Sequence, residues 1–212
     1  MKKIITGGTG EFTDKKSRFI ANIYNIESEE QAALIIEKLK KKYWDARHNC
    51  YAYVLGDKSE IQRFSDDGEP SGTAGKPILE VLSGSGCGNC LCVVTRYFGG
   101  VLLGTGGLIR AYTAASKEAL ENCRLGELTE GVHAFLDVDY NYVGKVQYLC
   151  SQNDITIVNT EYAENVTFEL MMEKQAEALL AKQMTEISSG KVCLRNATDM
   201  KMYRDDTGSL TV

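Results

Sequence analysis

Residues 132–196, "VHAFLDVDYNYVGKVQYLCSQNDITIVNTEYAENVTFELMMEKQAEALLAKQMTEISSGKVCLRN", carry six elements in a recognisable order. "VHAFLDVDY" reads as a strand and "YVGKVQYLCSQN" as a helix. "ITIVNTEYA" and "VTFELMME" read as strands, "KQAEALLAKQMTEISSG" as a helix and "KVCLRN" as a last strand. The order β-α-β-β-α-β is the ferredoxin-like split unit. Upstream, "RLGELTEG" at 124–131 has the polarity and glycine content of a linker. The chain is therefore expected to be α+β with two domains, residues 1–128 and 129–212.

The first part has its own pattern. "SRFIANIYNI", 17–26, reads as a strand. "SEEQAALIIEKLKKKY", 28–43, reads as a helix, with Ser28 and Gln31 at capping-box spacing and lysines crowding the last turn. Strands follow at 48–56 and 61–66, a short helix at 77–84, an interior strand at 90–98 and a long helix at 107–123, with Thr105 as its expected N-cap. "GGTGEF", 7–12, reads as a flexible terminus leading into the first strand.

Composition narrows the function classes. The chain has 212 residues, of which 43% are hydrophobic and 25% charged, as in ordinary globular proteins. No apolar run reaches the roughly 20 residues of a membrane helix, and the start has no signal-peptide pattern. A cytoplasmic protein with no membrane contact is expected. Residues 1–129 carry 17 Lys+Arg against 16 Asp+Glu, and residues 130–212 carry 7 against 13. An even basic coat is excluded, whereas a local basic patch on the first part is not.

Two glycine-rich stretches stand out, "RFSDDGEPSGTAGKPI" (63–78) and "TRYFGGVLLGTGGLIRAY" (95–112). The first holds both prolines of the chain, Pro70 and Pro77. Each stretch joins a strand to a helix, where orphan amides and the helix dipole favour anions. The candidate anion-accepting or nucleic-acid-binding residues are Arg63, Ser71, Gly72, Thr73, Gly75 and Lys76 in the first. In the second they are Arg96, Tyr97, Gly99, Gly100, Gly104, Thr105, Gly106 and Arg110. The two stretches are expected to lie side by side, with Tyr97 or Phe98 placed to stack on a base. A P-loop is rejected, because Pro70 stands at the required glycine and Pro77 at the required Ser or Thr. A dinucleotide fingerprint is absent as well.

Other candidates are weaker. Asp66, Asp67 and Glu69 offer a possible site for a hard cation, although a turn closed by Asx hydrogen bonds explains them as well. Cys87, Cys90 and Cys92 lack the fourth ligand of a zinc site and sit at the start of an apolar strand. His48 and Cys50 stand two apart on one strand, a spacing that puts a base and a thiol on one face. No cofactor is expected.

"RFSDDGEPSGTAGKPIL" and "VVTRYFGGVLLGTGGLIRAYTAA" resemble the signature blocks of the IMPACT/YigZ family, and "SRFIA" and "HNCYAY" resemble its earlier blocks. The resemblance spans roughly residues 10–125, and the tail looks like the extra domain of bacterial members. It implies a first domain similar to the fourth domain of elongation factor G and a second similar to that factor's fifth domain. Eukaryotic members act in translational control, using an additional domain that has no counterpart in this sequence. The resemblance assigns no catalytic residue. It implies a non-enzymatic protein of translation regulation that binds RNA, the ribosome or a translation factor. An enzyme or binder acting on a small phosphorylated compound at the same face is the alternative.

Overall fold

A computed structural model describes residues 2–56 and 58–211. The chain divides into two compact units, residues 1–126 and 127–212. The first contains β1 (Lys2–Thr6), β2 (Thr9–Asp14), β3 (Ser17–Asn25), α1 (Glu29–Lys42), β4 (His48–Leu55), β5 (Ile61–Ser65), α2 (Gly75–Ser85), β6 (Cys90–Tyr97) and α3 (Gly104–Glu121). Five of the strands form an antiparallel sheet in the order β2-β3-β6-β4-β5.

Strand alternation sends side chains to two different layers. Cys50, Ala52, Val54, Cys90, Cys92 and Val94 pack under α2 and α3, against Ile78, Leu82, Leu108 and Tyr112. Tyr53, Leu55, Leu91 and Val93 pack on the other face under α1, against Ala32, Ile36 and Leu39. β6 is covered on both faces, so it reads as a continuous apolar run.

The Ser28 cap forms as expected: its Oγ accepts from the Gln31 amide at 3.2 Å. The return bond lands one residue early, with the Glu27 amide donating to Gln31 Oε1 at 2.7 Å. "GGTGEF" is not a loose terminus, because β2 pairs with β3 along its whole length. Its glycines permit a close approach. A β-carbon on Gly10 would collide with the Ala119 amide of α3, and one on Gly8 with the Ala119 carbonyl. Low side-chain bulk, which looked like disorder, lets a helix lie directly on a strand.

Unit two contains most of β7 (Arg124–Val138), then α4 (Val143–Gln152), β8 (Thr156–Tyr162), β9 (Val166–Glu173), α5 (Lys174–Ser188), β10 (Leu194–Asp205) and β11 (Leu210–Thr211). The strand order β10-β7-β9-β8 is that of the ferredoxin-like unit, with β11 added beside β10. Val132, Leu136, Phe168, Leu170, Leu180 and Met184 lie in its core. Two boundaries differ from the sequence reading. Residues 124–131 are strand rather than linker; Gly126 and Gly131 are buried there, while Glu127 and Glu130 face out. The last strand begins at Leu194 rather than Lys191 and runs on to Asp205 before turning into β11.

Candidate functional site

The first glycine-rich stretch leaves β5 and enters α2, and its carboxylates are engaged by the protein itself. Asp66 Oδ1 accepts from the amides of Ala74 (3.0 Å) and Gly75 (2.8 Å), and its Oδ2 accepts from the amide of Gly72 (2.8 Å). The start of α2 thus already holds an anion, supplied by its own chain. Thr73 Oγ1 donates to the Pro70 carbonyl at 2.6 Å. Gly75 has no room for a β-carbon against Ser65, while Ser71 and Lys76 are exposed.

The other two acids hold different partners. Asp67 accepts from the Asn49 amide and from Lys40 Nζ, both at 2.7 Å. Glu69 Oε1 accepts from Arg96 Nη1 at 2.6 Å and from the Tyr112 hydroxyl at 2.9 Å, all buried. The three carboxylates therefore do not converge. Among the described residues no group of three or more His, Cys, Asp or Glu side chains is arranged to hold a metal. Arg63 is not brought to this face either. It stands opposite Tyr53 in the register, on the α1 side, with Nε 3.9 Å from Glu29.

The second stretch leaves β6 and enters α3. The Gly99 amide donates to Ser17 Oγ at 3.1 Å, which ties the loop to the β2–β3 hairpin, and Gly100 follows with positive φ. Gly104 has φ +72°, a conformation that L side chains rarely adopt, and α3 begins there. Thr105 is inside the first turn rather than at the cap, and among the described residues no side chain caps this helix. Gly104, Thr105 and Gly106 are exposed. The exposed Arg110 follows one turn on, its guanidinium near the site of a β-carbon on Gly106 (3.6 Å). Tyr97 points to the α1 face, where its hydroxyl donates to Asp45 at 2.8 Å. Arg96 points the other way and is only 5% exposed, lying over the rings of Phe19 (5.4 Å) and Phe98 (5.5 Å).

The two stretches meet around a cavity of about 420 Å³. Arg47, His48, Glu69 and Arg96 form its polar wall, and the start of α3 contributes Gly104 and Thr105. Pro70, Phe98, Leu102, Leu103 and Leu108 supply the apolar wall. Arg47 and Leu102 are not among the candidate site residues read from the sequence. The pairing of His48 with Arg96 in the β4–β6 register brings Arg47 to the rim, and no local motif signals that register.

His48 Nδ1 lies 2.9 Å from the Asp67 carbonyl, which fixes Nδ1 as the proton-bearing nitrogen. Cys50 Sγ donates instead to the Asp66 carbonyl (3.0 Å) and also lies 3.3 Å from the Tyr112 hydroxyl, and burial pushes its thiol up. His48 and Cys50 are thus bonded to different partners and do not form a nucleophile–base pair. Cys87, Cys90 and Cys92 lie in the core, and desolvation pushes Cys92 up to about 12.

Residues 15–120 match the Impact N-terminal domain. The chain belongs to the IMPACT family. Residues 136–191 match a domain of unknown function, DUF1949. IMPACT family member YvyE of Bacillus subtilis is 41% identical over 87% of this chain and 85% of its own length. IMPACT family member YigZ of Escherichia coli is 38% identical over 85% of this chain and 89% of its own. A crystal structure of a hypothetical protein aligns over 91% of this chain and 95% of its own, with 36% identity and a TM-score of 0.57. No helix among the described residues is long and apolar enough to cross a membrane.

Proposed function

We propose that this IMPACT-family chain is a non-enzymatic protein of translation regulation that meets RNA, on the ribosome or free of it, through the start of α3 and the cavity beside it. The carrying observation is the contrast between two helix starts. The amides of α2 are filled by Asp66, whereas those of α3 are uncapped, exposed and close to Arg110. Backbone amides with adjacent guanidinium groups are a standard way of meeting phosphate. Of the residues singled out in the sequence, Gly104, Thr105, Gly106 and Arg110 carry this reading, and Arg47 joins them. Arg96 acts from behind as the partner of Glu69.

Co-sedimentation with ribosomes across a salt series tests the reading. Binding should fall linearly with salt on logarithmic axes, and Arg47→Ala or Arg110→Ala should each lower the slope by about one unit. Gly106→Leu should weaken binding further by blocking backbone approach. Binding that is absent, or that does not change with salt, refutes it.

A further inference from the structure

We infer that the cavity beside α3 holds one unstacked nucleotide, its phosphate at the first amides of α3 and its base against Phe98. The inference rests on the preceding reading and deepens it from phosphate contact to occupancy by a single residue.

Four observations converge. The cavity, at about 420 Å³, lies at the small end of the range for small-ligand sites. Its lining is chemically mixed: the uncapped start of α3 and Arg47 stand among Phe98, Leu102 and Leu103. That mixture suits a ligand with an anionic group on a flat apolar body. Phe98 is 43% exposed with Arg96 on its ring, and Leu102 at the rim is 82% exposed, so a planar aromatic surface is open to stacking. Arg96 lines the cavity although it is only 5% exposed, and its buried Nε–H has no hydrogen-bond partner among the described residues. Buried donors are normally satisfied, so an unmet donor lies directly behind this wall.

The geometry favours a single-stranded source over a duplex. Residues 1–129, with 17 basic against 16 acidic side chains, have no even basic coat to follow a duplex backbone, and a base enters a cavity of this kind only when it is unstacked. The Glu69 carboxylate in the wall is neutralised by Arg96 and bonded by Tyr112, so it does not repel a phosphate as a free carboxylate would. One nucleotide can come from a single-stranded RNA or from a free mononucleotide, and the recognition chemistry is shared.

The test titrates the full chain with adenosine and uridine monophosphate, with inorganic phosphate, with a short single-stranded RNA and with a duplex of the same sequence. Amide shifts of Gly104, Thr105 and Gly106 are followed by NMR, and affinity by anisotropy. Either nucleotide source should shift those amides. Phe98→Ala should weaken the RNA about tenfold, within the range for loss of one base stack. Arg47→Ala should weaken it too, and Arg63→Ala, on the α1 face, should leave it unchanged.

Saturation by a mononucleotide with no binding of the RNA would support the cavity assignment while removing the RNA reading above. RNA binding that leaves these amides unmoved and ignores Phe98→Ala would overturn the cavity assignment while sparing the RNA reading. Inorganic phosphate binding as tightly as the mononucleotides would also overturn it, and so would a duplex equal to the single strand. The same holds if a peptide with a free carboxyl end saturates the site while nucleotides do not.

Discussion

Replacing Asp66 with alanine removes the acceptor of three backbone amides at once, those of Gly72, Ala74 and Gly75. A hydrogen bond to a charged group contributes roughly 1.5–3 kcal/mol net, and loss of a helix cap alone costs about 0.5–2 kcal/mol. The three bonds share one carboxylate, and the loop is only part-buried, so water can reach some of the freed amides and the losses do not add. The expected cost is about 3 kcal/mol. Asp66→Asn should cost about half as much, since one amide oxygen still accepts while its NH₂ faces an N–H. Urea unfolding measures the loss, and hydrogen exchange at Gly72, Ala74 and Gly75 localises it. The opened amides should also gain sulfate binding, which would restore part of the stability. A loss below about 0.5 kcal/mol with the three amides still protected would refute the assignment, because a carboxylate that fills the helix start cannot be removed without consequence.

Three further outcomes follow from other parts of the molecule. Gly10→Ala forces a β-carbon into the α3 backbone and should cost more than about 2 kcal/mol in urea unfolding, the scale of overpacking a core. In the native protein at pH 8, iodoacetamide should modify the exposed Cys193 first by mass spectrometry; Cys92, pushed up to about 12, and Cys123 and Cys150, each pushed up to about 11, should react only after unfolding. The Asp137 carboxyl is held below its ordinary value by the Thr167 hydroxyl and Arg195, so its contribution to stability is complete above about pH 4 and fades as pH falls further. Asp137→Asn should accordingly flatten the acid limb of the stability curve.

The elements of both units were legible because their periods are strong, and the Ser28 cap because its signal is local. What could not be read came from contacts distant in sequence. The run 7–12 looked disordered because the helix that lies on it begins about a hundred residues later. Residues 124–131 looked like a linker because a strand rich in Glu and Gly has no clean alternation. At the site, Arg96 and Arg110 look equivalent in sequence, yet strand alternation buries the first against Glu69 and helix geometry exposes the second. Arg63 and Tyr97 went to the α1 face by the same alternation. Asp66 was weighed as a metal ligand, and its real partners, amides six to nine residues on, appear only once the turn is closed.

The comparison of the two helix starts yields one more test. α3 opens with no acidic residue in its first turn, no side-chain cap, and an arginine folded back toward Gly106. That arrangement opposes the helix dipole, which favours negative charge at this end by about 0.3–1 kcal/mol. α2 shows that this fold can neutralise a helix start when nothing else needs the amides. A carboxylate placed at the start of α3 should therefore act in two opposite ways. Thr105→Asp, at an exposed position, should stabilise the protein by about 0.5 kcal/mol through the dipole. It should also weaken RNA binding by tenfold or more, since it puts like charge where the phosphate would sit. Thr105→Asn, equal in size and uncharged, should leave binding close to that of the unchanged protein and so separates charge from shape. A Thr105→Asp variant that is more stable and binds RNA unchanged would show that the open helix start is a tolerated imperfection and not a binding surface.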